Sequence, residues 1–129
     1  MQRLHTRNLM KHYEIQTSPF IVPTSDGKLI EEHFGKASIN TGDYSVAHMI
    51  APPGWWEPFQ TPEFDEITYI IRGRKKFEAD GDEIILTANQ SICIKKGTRV
   101  RYSNPFDSPC EYISVCVPAF TIDRVKREG

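Results

Sequence analysis

Short apolar runs, rather than helical periodicity, dominate the sequence. Most are four to ten residues long, rich in β-branched and aromatic side chains, and bounded by turn-forming sequences such as SDGK, TGD, RGR, DGD and NPFDSP. The pattern predicts eight β-strands: FIVP (20–23), YSVAHMIA (44–51), EITYII (66–71), KKFEA (75–79), EIILT (83–87), SICIKK (91–96), RVRYS (99–103) and EYISVCVPAF (111–120). Strands at this spacing are typical of a sandwich or barrel, so we expect an all-β fold.

Helical signals are confined to the two ends of the chain. We expect a short helix or arm over residues 1–14, and we divide the chain into an N-terminal arm, 1–17, and a barrel domain, 18–129. Near the C-terminus, residues 121–128 begin with Thr121, a suitable N-cap, and carry cations in the last turn. These features predict a short C-terminal helix.

Composition narrows the class of protein. A chain of 129 residues is one domain long, and 16 Lys plus Arg against 17 Asp plus Glu give a net charge of -1, which does not favour nucleic acid as a partner. The sequence has no signal-peptide pattern and no apolar run long enough to cross a membrane. Its 3 cysteines have unrelated spacings, which favours free thiols. We therefore expect a soluble, cytoplasmic protein with no membrane partner.

The centre of the chain contains two spaced motifs. Their frame positions are Gly54, Gln60, Pro62, Glu66 and Gly73, followed by Asn89, Lys95, Gly97, Val100 and Asn104. The spacing is similar to the two motifs of the cupin superfamily, G-x5-H-x-H-x3-E-x6-G and G-x5-P-x-G-x2-H-x3-N. The resemblance implies a single-domain, cupin-type double-stranded β-helix, which is a jelly-roll barrel. The sequences FDEITYIIRG and VCVPAF further resemble the cupin branch found in ethanolamine utilisation.

The chain departs from the superfamily at the metal ligands. In metal-binding cupins three histidines and a glutamate hold one transition metal, whereas here Gln60, Pro62 and Val100 stand at the histidine positions and Glu66 alone matches. Proline and valine cannot coordinate an ion, and a neutral amide is a poor ligand. We expect no metal and no cofactor, and a lone Glu66 carboxylate in an otherwise apolar lumen.

Strand alternation indicates which side chains share the lumen with Glu66. Successive side chains point to opposite faces, so an inward Glu66 places Thr68 inward, and an inward Val100 places Tyr102 inward. On 44–51 the sequence leaves open whether His48 points in or out. The candidate catalytic residues are therefore Glu66, Tyr102 and His48. The candidate substrate-binding residues are Gln60, Thr68, Trp56 and Val100.

Most candidates also have a structural explanation. Glu66 could be a plug that bonds Tyr102 or backbone, and His48 could be a core histidine, an acid/base partner of Glu66 or half of a different metal site. The pair Trp55 and Trp56 suits either the barrel mouth or subunit packing. The basic residues Arg72, Arg74, Lys75 and Lys76 are expected mainly on a solvated strand edge.

Two functions remain open on the sequence. In the first, the barrel binds a small polar metabolite and acts on it as a metal-independent isomerase, lyase or cyclase through Glu66. In the second, it is a non-catalytic ligand-binding or structural barrel. Either way, the apolar pieces GWWEPF and FIVP and the N-terminal arm favour a homodimer.

Overall fold

The computed structural model describes residues 12–129, and the fold is all-β, as the sequence predicts. The predicted arm at 1–17 lies largely outside these residues and stays a prediction. Among residues 12–129, no helix is long and apolar enough to cross a membrane. The strands are β1 Phe20–Ile21, β2 Leu29–Phe34, β3 Ser45–Ala51, β4 Asp65–Arg72, β5 Lys75–Ala79, β6 Asp82–Leu86, β7 Ser91–Ile94, β8 Val100–Ser103 and β9 Cys110–Val117.

Two short helices complete the described chain. Helix α2, Ile122–Val125, begins where the sequence predicts, because the Thr121 side chain caps it by accepting a hydrogen bond from the backbone of Arg124. It ends earlier than expected, at a left-handed residue, Lys126. Helix α1, Lys36–Ile39, was not predicted.

The strands form two antiparallel sheets with a shared core. A six-stranded sheet has the order β1-β2-β3-β9-β4-β7, and a three-stranded sheet has the order β6-β5-β8. Core side chains come from both sheets, including Ile70 of β4, Tyr112 of β9, Phe77 of β5 and Tyr102 of β8. The lumen of the barrel therefore lies between the two sheets.

Strand β4 shows the alternation most clearly. Thr68 and Ile70 are buried, whereas Ile67, Tyr69 and Ile71 on the other face are exposed. The predicted parity of β4 is correct, as is the joint burial of Val100 and Tyr102 on β8. An antiparallel strand with one buried and one open face gives this pattern.

The turn between β4 and β5 explains why the frame keeps a glycine there. Gly73 has φ +81°, and an added Cβ would overlap the backbone carbonyl oxygen of Pro109. Only glycine meets both conditions without strain.

The two motifs are joined by an antiparallel bridge in which the backbones of Gln60 and Val100 exchange hydrogen bonds of 2.9 and 2.8 Å.

A candidate ligand cavity in the barrel lumen

A cavity of about 350 Å³ opens between the sheets. Strand β3 contributes Ser45, Ala47 and Met49, and β9 contributes Tyr112, Ser114 and Cys116, because alternate residues of each strand face the lumen. The remaining lining includes charged side chains from β2, β4, β5 and the loops, namely Asp26, Lys28, Glu32, Glu57, Glu66, Lys75 and Arg127. The expectation of an apolar lumen with one carboxylate is wrong.

Glu66 lies on the cavity wall and is held by two hydroxyl groups. The Tyr102 hydroxyl donates to one carboxylate oxygen over 2.9 Å, and the Ser114 hydroxyl donates to the other in a short hydrogen bond. The three residues come from three strands, β4, β8 and β9. Burial, followed by the charge and hydrogen bond of Glu66, raises the pKa of Tyr102 well above its usual value. Tyr102 therefore remains a protonated donor, and both oxygens of Glu66 are fixed in orientation.

Lys75 is the unexpected member of the site. Its side chain is 2% exposed, and its ammonium nitrogen lies 3.5 Å from the ring centroid of Tyr112 and 4.6 Å from that of Tyr102. Desolvation, and secondarily the charge of Lys28, lowers the pKa of Lys75 from 10.5 to about 7, although Glu66 and Glu57 oppose the change. At neutral pH Lys75 can therefore exist both as an amine and as an ammonium ion.

Two polar groups of the cavity lack a hydrogen-bond partner. The Tyr112 hydroxyl is buried and unpaired among residues 12–129. Within the same residues, no side-chain hydrogen bond or ion pair involves the Lys75 nitrogen, which contacts aromatic rings instead. A buried polar group without a partner costs free energy. The Lys75 nitrogen, at the cavity wall, is thus available to a ligand, whereas the Tyr112 hydroxyl is enclosed in the protein interior.

A second charged cluster lies on the cavity wall near the β1–β2 loop. The Lys28 nitrogen is 3.6 Å from one carboxylate oxygen of Glu57, and Arg127 is 3.5 Å from the other. Arg127 also donates to the side-chain oxygen of Gln60 over 3.3 Å. The Lys28 ammonium stacks on the Trp55 ring at 4.3 Å. The charge of Asp26 also interacts with Lys28, so the cluster has two carboxylates against two cations and offers little free charge.

His48 does not belong to the lumen, which corrects its candidacy as a catalytic partner of Glu66. Its ring nitrogens contact Glu31 at 2.7 Å and Glu111 at 2.6 Å, both on the outer face of the six-stranded sheet. Ala47 and Met49, its chain neighbours, take the inward positions. Burial disfavours the imidazolium, but the hydrogen bonds and charges of the two carboxylates outweigh it and raise the pKa of His48. A shared site of His48 and Glu66 does not form.

The other predicted binding residues divide into three groups. Gln60 is buried and lines the cavity. Thr68 and Val100 point inward but pack in the core behind the lining, at 1% and 0% exposure. Trp56 is 64% exposed and faces solvent, whereas its neighbour Trp55 is buried. Thr68, Val100 and Trp56 therefore do not line the cavity.

The superfamily metal does not fit this lumen. Val100 is an apolar core side chain, the Gln60 oxygen already accepts from Arg127, and both oxygens of Glu66 accept from hydroxyls. Lys75 adds a positive charge to the same wall. In residues 12–129 no three His, Cys, Asp or Glu side chains are grouped closely enough to hold an ion. The residues present therefore do not hold the superfamily metal.

Lys75 could have been found from the alternation of its strand. KKFEA places Lys75, Phe77 and Ala79 on one face, and the two apolar members mark that face as buried. The expectation that Lys75 lies with the neighbouring cations on a solvated strand edge is wrong. Lys75 was expected to be exposed because basic residues at strand edges usually are.

The chain is similar in sequence to one known family and to one curated protein. The family model "Cupin domain" matches residues 47–116. Endoribonuclease YbeY of Myxococcus xanthus is 43% identical over 100 residues, which are 78% of this chain and 34% of that protein, so the chain spans about a third of the curated relative it matches.

Among the solved structures with a similar fold are an RmlC-like cupin and the EutQ protein. An RmlC-like cupin from Shewanella frigidimarina superimposes with a TM-score of 0.68 at 15% identity, over 84% of this chain and 92% of that one. The EutQ protein of Clostridium difficile superimposes with a TM-score of 0.60 at 24% identity, over 74% of this chain and 65% of that one. At these identities the likeness concerns the fold alone.

Proposed function

The chain belongs to the cupin family, and on that premise we propose that its barrel binds a small polar metabolite and acts on it by metal-independent acid/base chemistry. One observation carries the proposal. An oriented carboxylate, Glu66, and a buried amine, Lys75, line the same cavity and interact electrostatically. A group that exchanges protons near neutral pH at a buried site, as Lys75 does, is characteristic of acid/base catalysis.

The surroundings of Lys75 and Glu66 indicate the part that each takes in proton transfer. Lys75, with a pKa of about 7, can take a proton from a bound molecule or return it at neutral pH. Glu66, fixed by Tyr102 and Ser114, is the carboxylate that accepts a proton or stabilises positive charge as it develops. Isomerisation, elimination and cyclisation all require such a transfer between two positions of one substrate.

The cavity sets the size and polarity of the substrate. A volume of about 350 Å³ lies near the lower end for small-molecule sites and suits a molecule of a few carbon atoms. The unpaired Lys75 nitrogen on the cavity wall offers a hydrogen bond to it. A hydroxylated metabolite would supply the hydrogen-bond partner that this nitrogen lacks.

Proton exchange with solvent provides a test that does not require the natural substrate. The protein is incubated in D2O with a panel of small hydroxy and oxo compounds, and loss of carbon-bound proton signals is followed by NMR. We expect exchange in at least one compound, at least tenfold slower with Glu66→Gln and unaffected by Lys76→Met, since Lys76 lies on the opposite face of β5 and pairs with Glu83. Binding by thermal shift without exchange in any compound would refute the catalytic part.

A non-catalytic binding or structural barrel is the second candidate. The observation in its favour is that Glu66 is fully engaged by Tyr102 and Ser114, as a structural carboxylate would be. In that case Glu66→Gln alters stability and ligand affinity but no turnover. The exchange experiment separates the two candidates.

We also propose a cytoplasmic homodimer whose ligand is a small molecule and not nucleic acid or membrane. The exposed apolar side chains on the outer face of β4, Ile67, Tyr69 and Ile71, support self-association. The net charge of -1 offers no basic field for RNA. The endoribonuclease name of the relative makes RNA worth testing directly: single-stranded RNA at low salt should neither bind nor be cleaved.

A further inference from the structure

We propose that Lys75 forms an imine with a small, neutral, hydroxylated aldehyde or ketone in the lumen, so that it is a covalent catalytic residue. The inference deepens the proposed function and rests on it, because a small molecule must first enter the barrel. The site is the aromatic wall of the cavity, where Lys75 at the start of β5 meets Tyr112 of β9 and Tyr102 of β8.

The position of the Lys75 nitrogen favours nucleophilic attack. Its side chain is buried against three rings, at 3.5 Å from the Tyr112 centroid, 4.6 Å from Tyr102 and 5.2 Å from Phe77. Among residues 12–129 it gives no hydrogen bond to a carboxylate or carbonyl that would hold it as an ammonium. Desolvation, the largest effect, lowers its pKa to about 7, so about half of it is neutral amine at pH 7. A neutral, desolvated lysine is the form that attacks carbonyl carbon.

The neighbouring groups supply the proton transfers. The amine lone pair attacks the carbonyl carbon, and a C–N bond forms as the C=O π bond breaks. The nitrogen gives one proton to Glu66, and the oxygen takes one proton from solvent, which gives a carbinolamine. Glu66, held by Tyr102, returns its proton to the hydroxyl of the carbinolamine, and water leaves as the C–O bond breaks. The products are a protonated imine and one water, with no change of oxidation state. The iminium charge then lies on the wall that Glu66 shares.

The charge of the lining selects the carbonyl compound. The cavity presents four carboxylates, Asp26, Glu32, Glu57 and Glu66, against three cations, Lys28, Lys75 and Arg127. Since Lys28 and Arg127 contact Glu57, and the charge of Asp26 also interacts with Lys28, little free positive charge remains for an anionic substrate. Ser45 and Gln60 line the same cavity and are hydrogen-bond partners for a substrate hydroxyl. Neutral hydroxy-aldehydes and hydroxy-ketones therefore fit better than oxo acids.

Reductive trapping tests the inference. The full-length protein is treated at pH 7 with sodium cyanoborohydride and glycolaldehyde, dihydroxyacetone, pyruvate or formaldehyde, and adducts on Lys75 and Lys76 are separated by peptide fragmentation in the mass spectrometer. Lys76 is the matched control, because it is adjacent, partly exposed and paired with Glu83. We expect glycolaldehyde and dihydroxyacetone to label Lys75 at least tenfold faster than Lys76, and pyruvate to label it more slowly than either.

The variants and formaldehyde separate the possible failures. Lys75→Met should lose the fast adduct, and Lys76→Met should keep it. Equal labelling of Lys75 and Lys76 would overturn the inference. Labelling of Lys75 by formaldehyde but not by the two-carbon and three-carbon compounds would also overturn it, while leaving an accessible lumen and the proposed function in place. If not even formaldehyde reaches Lys75, the lumen is closed and both proposals fall.

Discussion

Replacing Lys75 by methionine should change the pH dependence of stability in a defined direction. The pKa of Lys75 is lowered by burial from 10.5 in the unfolded chain to about 7 in the folded protein. Between these values the unfolded chain holds a proton that the folded protein lacks, so wild-type stability rises with pH in this range. Below about pH 7 both states are protonated, and the full cost of burying the ammonium is present. Methionine has no such cost.

The magnitude follows from the same two pKa values. A pKa lowered from 10.5 to about 7 corresponds to about 5 kcal/mol of destabilisation at low pH. About 4 kcal/mol of it remains at pH 7 and about 2 kcal/mol at pH 9, where the unfolded chain is still protonated. The difference in unfolding free energy between Lys75→Met and wild type should therefore shrink by about 2 kcal/mol from pH 7 to pH 9.

Urea unfolding followed by far-UV circular dichroism at pH 6, 7, 8 and 9 measures this difference. Lys76→Met is the control, since Lys76 is partly exposed in an ion pair with Glu83, and its difference from wild type should change little over this range. A Lys75→Met difference that stays constant from pH 7 to pH 9 would refute the reasoning. It would mean that Lys75 keeps an ordinary pKa and that the cavity wall is hydrated around it.

Three further predictions concern other parts of the barrel. Gly73→Ala should destabilise more than Gly81→Ala by about 2 kcal/mol in urea unfolding, because both glycines have positive φ but only the Gly73 site has Pro109 in the way; equal losses would contradict the clash. His48→Gln should lose most stability relative to wild type near pH 6 and progressively less toward pH 8, because a raised folded pKa stabilises below the unfolded value and the effect disappears as the imidazolium deprotonates; thermal melts across that range showing a constant difference would count against it. Ile67→Glu should shift light-scattering mass from dimer to monomer, and unchanged mass would mean that this face is not the interface.

Much of the fold could be predicted because most strands combine an apolar alternation with clear turns. Strand β2 was missed for a physical reason. Its sequence, LIEEHF, contains two consecutive acids, and each is satisfied by a partner distant in the chain or by a turn that follows. Glu31 pairs with His48 on the outer face, and the inward Glu32 accepts a hydrogen bond from the backbone of Ser38. Partners that are brought to the strand by folding leave no signal in its own pattern of apolar and polar residues.

The candidate site was predicted only in part, because some of its residues are fixed by local patterns and others by tertiary contacts. Glu66, Tyr102 and Gln60 reach the cavity because motif spacing and strand parity are local properties of the chain. The inward face of β3 was undecided because His48 is compatible with either side until Glu31 and Glu111 are known to flank it. Whether an inward residue lines the cavity or packs behind it, as Val100 does, depends on packing between sheets.

The alternation along β4 has a consequence for directed evolution. Glu66 belongs to the lumen, and Ile67, one peptide bond away, belongs to the outside surface. Libraries that vary the inward positions of β3 and β9, such as Ala47, Met49 and Cys116, would reshape the chamber without touching the exterior. Libraries at the intervening positions would do the reverse. Alternate codons of one gene segment can therefore be varied in separate rounds of selection, one set for the cavity and the other for the outer surface.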